Sequence, residues 1–212
     1  MKMRILSALS FLTCLPAMAN ELVFTINFDK RPPFTALAYI DDGGQSKTIT
    51  IDQKDKKFLS PAYVITTDDK LVFKNSDDID HNIYANSPAN GVKFDVGIIE
   101  PQSETAIDGS KWPKNSFVRI GCKIHPKMKS YIANINSSNS KTLVFTNKKK
   151  RYITKLENIT GEQKATLWMP KYELIQTTLS KGQSKTVDIV KKGKKRGTVT
   201  IEYRELPVIA SN

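Results

Sequence analysis

Short runs in which apolar and polar residues alternate recur along the chain. Period-two or β-branched stretches occupy residues 22–28, 47–52, 70–74, 117–122, 130–135, 142–146, 185–190 and 198–203. Successive side chains of a strand point to opposite faces, so each stretch predicts a strand with one buried face. Clusters of Gly, Pro, Asn, Asp and Ser separate them, as turns require. No segment keeps a 3.6-residue apolar period between capping signals, so any helix is expected to be short and peripheral. Many short, evenly spaced strands predict an all-β protein built as a sandwich or barrel.

The first residues obey another pattern. Lys2 and Arg4 precede an apolar run over residues 5–15 and then Ala17-Met18-Ala19, the small-x-small signature of a cleavable export signal. About 11 apolar residues fall short of the roughly 20 needed to span a bilayer. Residues 1–19 therefore read as a signal peptide, the mature chain as starting at Asn20, and the destination as an oxidising compartment, the bacterial periplasm. Removal of Cys14 with the signal leaves Cys122 as the one cysteine, so no disulfide within the chain is expected. Such a thiol is either a buried apolar side chain or a ligand.

Charge divides the mature chain unevenly. Residues 20–140 carry 15 Lys and Arg against 15 Asp and Glu, whereas residues 141–212 carry 16 against 6, a net of +10. Asn136-Ser137-Ser138-Asn139-Ser140 falls at the break and lacks apolar anchors, which predicts a linker. The expected organisation is one domain over 20–136, a linker over 137–140, a smaller basic β-sandwich-like domain over 141–206 and a tail over 207–212. Lys148-Lys149-Lys150-Arg151 and Lys191-Lys192-Gly193-Lys194-Lys195-Arg196 read as hairpin tips. They are either solvated turns that discourage edge pairing, or a patch that steers an acidic redox partner or meets an anionic membrane surface. No aromatic-rich surface accompanies them, and nucleic acid is a poor partner for an exported chain. Trp168 and Tyr172 are expected to pack the second core.

Candidate chemistry concentrates in GCKIHPKM, residues 121–128. Alternation puts Val118, Ile120 and Cys122 on one apolar face, so the thiol points inward at a strand's end. His125 and Met128 follow as Cys-x2-His-x2-Met, a spacing that one tight turn can gather around a point. The other histidine, His81, lies in a predicted loop after the 70–74 strand. Two imidazoles and a thiolate with a weak axial thioether form the donor set of a blue-copper electron-transfer site, soft sulfur suiting Cu(I) and imidazole serving both oxidation states. Zinc would be expected to take more Cys or His and no thioether. A nucleophilic Cys–His pair is the enzymatic alternative, although a cysteine at the end of a buried strand beside Met is poorly placed to meet a substrate.

The same segments resemble the cupredoxins. HNIYA at 81–85 is similar to their first-histidine loop, FLSPAYVITTDDKLVFKNSDD at 58–78 to the strands before it, and GCKIHPKM to the short ligand loop of the amicyanin type. The likeness spans roughly residues 45–135. With LWMP at 167–170 added, the chain resembles exported two-part proteins of the methylamine-utilisation or plastocyanin-like type. The resemblance implies a Greek-key β-sandwich for the first domain and one type 1 copper on His81, Cys122, His125 and axial Met128. It also implies single-electron carriage between redox partners, without enzymatic turnover; the basic charge of this chain makes the expected partner an acidic one, such as a cytochrome or dehydrogenase. Copper storage or delivery through the same ligands, or a role as a structural accessory subunit, are the alternatives. Two histidines cannot furnish the extra centres of a multicopper oxidase. The sequence departs from the family at Lys123, where many members carry a Thr or Ser that ties to the Asn after the first histidine, here Asn82. It also surrounds the ligand loop with Lys123, Lys127 and Lys129, where related loops often have an aromatic or apolar residue.

Overall fold

A computed structural model describes residues 20–109 and 112–205, so the expected signal peptide and tail lie outside the described residues. The chain opens with β1 (Asn20–Phe28) and β2 (Thr35–Ile40). It continues through β3 (Thr48–Lys54), β4 (Lys57–Phe58), β5 (Tyr63–Ile65), β6 (Lys70–Asn75), β7 (His81–Ser87), β8 (Val92–Ile99), β9 (Glu104–Asp108), β10 (Ser116–Gly121) and β11 (Lys129–Asn134). It closes with β12 (Ser140–Val144), β13 (Arg151–Glu157), β14 (Gln163–Trp168), β15 (Ile175–Leu179), β16 (Ser184–Lys191) and β17 (Lys194–Glu205). Among the described residues the only helical segment is a 3-10 turn at Pro88–Asn90. The all-β reading holds.

The strands form four sheets, ordered β13-β1-β17-β16, β12-β2-β14-β15, β5-β11-β10-β7-β8 and β4-β3-β6-β9. Three apolar cores lie between successive sheets. Leu22, Phe24 and Ile26 with Val199 and Ile201 face Ala36, Ala38, Ala165 and Leu167 in the first core. In the last, Ile51, Leu71 and Phe73 face Val118, Ile120 and Ile132. The middle core joins the two sandwiches: Leu37, Tyr39 and Trp168 meet Phe117, Tyr131 and Ala133. Strand β2 is therefore buried on both faces, with all six residues out of solvent. A strand of that kind reads as a continuous apolar run with no alternation, which is why period-two reasoning passes over it.

Strand pairing departs from the division expected at 136–140. Strand β1 pairs antiparallel with β13 and β17, and β2 pairs antiparallel with β12 and β14. The strands before residue 41 thus complete the C-terminal sandwich, and β3–β11 form a second sandwich inserted between β2 and β12. Charge composition reports what faces water, whereas a strand's partner is set by complementary apolar faces remote in sequence. The stretch expected to be a free linker is tied down. Asn136 Nδ2 donates to Asp41 Oδ1 at 3.0 Å, Ser138 N and Oγ donate to Asp42 at 2.6 and 2.7 Å, and Gly43 N donates to Asn136 O at 3.3 Å. Two crossings of the chain run side by side there.

The basic clusters also differ from each other. Lys192 and Gly193, both at positive φ, form the hairpin turn expected between β16 and β17. Residues 148–150 instead cross from β12 in one sheet to β13 in another. Contrary to expectation, Trp168 does not fill the interior of the C-terminal sandwich. It seals the joint, stacked on Phe117 with ring centroids 4.6 Å apart and edge-on to Tyr131 at 4.9 Å. Trp168→Ala is expected to cost about 3–5 kcal/mol, the range for emptying a large aromatic site, and to split one unfolding transition into two. Denaturant titration of the metal-free chain checks this. A loss below about 1 kcal/mol with one transition retained would show that the joint contributes little.

Candidate metal centre

Two short stretches bring the donors together. Strand β10 ends at Gly121, and Cys122 follows with 2% of its surface exposed, in the same apolar cluster as Val118 and Ile120. A side chain at Gly121 would press on the Tyr84 ring at 3.2 Å, so glycine lets that ring close over the loop's root. The loop turns at once: Met128 N donates to His125 O at 2.9 Å. His125 is left half-buried, and Met128 enters the core beside Cys122.

His81 was expected in a loop. It is the first residue of β7, paired with Ile99 of β8 and fully buried. The bend before it is organised by Asn75, whose Nδ2 donates to Ile79 O, Ile99 O and Glu100 O at 2.8–3.1 Å, while its Oδ1 accepts from Asp77 N at 3.0 Å. Asp77 then reaches the far side of the imidazole, its Oδ2 lying 2.9 Å from His81 Nε2. With Nε2–H donating to that carboxylate, Nδ1 keeps its lone pair and faces inward. The hydrogen bond with His81, then one from Lys56 N, holds the Asp77 carboxyl well below the usual carboxylate range. A lowered folded-state pKa contributes stability that is complete above the ordinary value near 3.9 and fades as pH falls through the lowered one. His125 is likewise shifted down, first by burial and then by the neighbouring His81 and Lys56, which favours its neutral ring.

The inward atoms converge. His81 Nδ1 and His125 Nδ1 are 3.1 Å apart, and Cys122 Sγ lies 3.9 Å from the first and 3.7 Å from the second. Among the described residues this is the one group of three or more His, Cys, Asp and Glu side chains whose donor atoms all lie within 4.8 Å of one another. A point equidistant from the three atoms lies about 2.1 Å from each, close to the ~2.0–2.3 Å of metal–imidazole and metal–thiolate bonds. The triangle therefore suits a transition-metal ion, and its softness suits copper. Of the four expected ligands, three meet here; Met128 shares the cluster with Cys122.

The departure at Lys123 is compensated. Its backbone N–H donates to Asn82 Oδ1 at 3.2 Å, so the tie to Asn82 needs no hydroxyl. Asn82 Nδ2 in turn donates to Asp95 Oδ1 at 2.6 Å and to Gly97 O at 2.9 Å, and Asp95 forms an ion pair with the Lys123 ammonium. A bulge in β8, with Gly97 at φ 74°, aims Asp95 at this corner. Sequence reasoning missed Asp77 and Asp95. The first carried a usable signal, a carboxylate four residues before a histidine, whereas the second depends on the bulge. Asp95→Ala should speed amide exchange over residues 122–128 of the metal-free chain about tenfold, the loss of one charge-assisted hydrogen bond. Unchanged exchange would mean that the corner does not hold the loop.

No family model matches the chain, and no curated protein matches it. Solved structures do. A reduced amicyanin variant is 13% identical over 48% of this chain and 98% of its own, with a TM-score of 0.36. Amicyanin from Paracoccus versutus is 14% identical over 52% and 96%, with a TM-score of 0.35. A purple cupredoxin from Nitrosopumilus maritimus is 13% identical over 42% and 98%, with a TM-score of 0.33. Values this low assign neither family nor activity, so what is established is an all-β chain with a buried cluster of one thiol and two imidazoles between two of its sheets.

Proposed function

We propose that the chain is an exported type 1 copper protein that carries single electrons between redox partners. One observation carries this reading: Cys122 Sγ and the Nδ1 atoms of His81 and His125 converge within 3.9 Å in a buried site. Copper, when bound, supplies a one-electron Cu(I)/Cu(II) couple. Cys122 would give the thiolate, His81 and His125 the imidazoles, and Met128 a weak axial thioether. The sheets anchor Cys122 and His81, Asp77 fixes one ring, and the Asn82–Asp95 corner braces the loop. Donors held in this way keep one arrangement in both oxidation states, the condition for exchange with little rearrangement. Half-buried His125 is the edge through which an electron would leave. No described helix is long and apolar enough to cross a membrane.

Visible and EPR spectra of the copper-loaded mature chain, with repeated oxidation and reduction, test the proposal. An intense thiolate band that returns through many cycles is expected. Met128→Leu should keep copper and colour while raising the reduction potential, since loss of the weakest donor favours Cu(I). A colourless centre, or rapid loss of Cu(I) to a chelator, would instead favour metal storage or delivery.

A further inference from the structure

The ligand loop's lysines are not equivalent. Lys123 is engaged by Asp95. Lys129, directly after Met128, instead folds over the Phe34 ring at 4.7 Å and lines an open cleft of about 400 Å³ at the seam between the sandwiches. Arg119 and Tyr131, opposed across β10 and β11, form one wall of that cleft. Lys171, Tyr172 and Lys191 form the other, with the Lys191 ammonium 5.0 Å from the Tyr172 ring. No Asp or Glu lines it. None of the four cations makes an ion pair with a described residue, whereas Lys155, Lys181, Lys195 and Arg204 elsewhere do. Four separate segments have thus been brought together so that unneutralised positive charge faces one groove, and the groove exists only when the two sandwiches are docked.

We infer that this cleft is the docking site for an acidic segment of a protein partner. The inference deepens the proposed electron-carrier reading by placing its partner. Like charges gathered without counter-ions repel one another, and an opposing charge relieves that repulsion as it docks. Arg119, Lys129 and Lys171 are exposed and Lys191 half-buried, so the cations act as an electrostatic surface and not as an enclosed anion cage. Phe34, Pro33, Tyr131 and Tyr172 supply apolar wall for the stem of a Glu or for residues interleaved with the acids. An extended acidic segment uses both features, while a small free anion uses only the first. Arg119 lies three residues before Cys122 and Lys129 next to Met128, so a partner seated here touches the roots of the ligand loop.

The test uses the full mature chain without metal, so that it stands apart from redox activity. A fluorescein-labelled hexaglutamate peptide serves as probe. Two double variants with the same change in net charge are compared: Arg119→Glu with Lys191→Glu in the cleft, and Lys148→Glu with Lys149→Glu at the crossover. Saturable binding should weaken about tenfold or more in the cleft variant and less than about twofold in the crossover variant. Should the glutamate pair unfold the chain, Arg119→Gln with Lys191→Gln against Lys148→Gln with Lys149→Gln gives the same comparison. Equal loss in both variants would overturn the inference, leaving diffuse steering by net charge. Full displacement of the peptide by equimolar pyrophosphate would also overturn it, in favour of a small-anion site. If a separate copper titration of the mature chain showed no binding while the peptide still bound in the cleft, the electron-carrier reading would fall and the cleft would stand.

Discussion

Cys122→Ser is expected to abolish the intense thiolate-to-copper absorption and to weaken copper binding by orders of magnitude. Cys122 Sγ is the one sulfur in the donor triangle and lies 3.7 and 3.9 Å from its imidazole nitrogens. A serine hydroxyl at the same place is hard, protonated at neutral pH and less polarisable, so it can supply neither the covalency of the colour nor affinity for Cu(I). The substitution also buries a hydroxyl where the thiol was 2% exposed, at a cost of about 1–3 kcal/mol. The metal-free melting temperature of the variant must therefore be measured beside the spectrum. With the fold retained and the band gone, Cys122 is the thiolate ligand. An unchanged band would sink the whole site assignment, because the described residues contain no other cysteine.

Residues 20–136 produced alone are expected to fail to fold cooperatively. A chain that keeps residues 20–43 and 137–205 but lacks the insert should still unfold in one transition. The first fragment retains β1 and β2 but removes every partner they pair with. Leu22, Phe24 and Ile26, each fully buried in the intact protein against strands that the fragment lacks, would then face water. At about 1.5–3 kcal/mol per side chain, their combined loss rivals the entire ~5–15 kcal/mol stability of a domain. The second chain keeps those pairings, and its new junction spans little distance because Gly43 N already hydrogen-bonds Asn136 O at 3.3 Å. It bares Leu37, Tyr39 and Trp168 on the joint face, so some self-association is expected. Circular dichroism and thermal melts of the two proteins decide the matter. A cooperative melt in 20–136 would show that β1 and β2 are dispensable to the inserted sandwich and tolerate exposure.

Local pattern carried the element type and most of the donors. Strands with one wetter face, such as β6 and β17, alternate because one face is paid for by burial and the other by water, and that record lies within six or seven consecutive residues. The Cys-x2-His-x2-Met spacing is equally local, so Cys122, His125 and Met128 could be read together. Strand β2 could not, because burial between two cores erases alternation. Nor could the domain order, because β1 finds its partners at Tyr203 and Leu156, far along the chain. His81 could be named as a donor, but tertiary structure delivered it to Cys122 across 41 residues, and it alone brought Asp77 to the back of that ring, Asp95 to Lys123 through a bulge, and four cations without an ion pair among the described residues to one seam. Each of these depends on which sheets pack against which, and that is settled by the fit of whole apolar faces, a quantity that no short window of sequence contains.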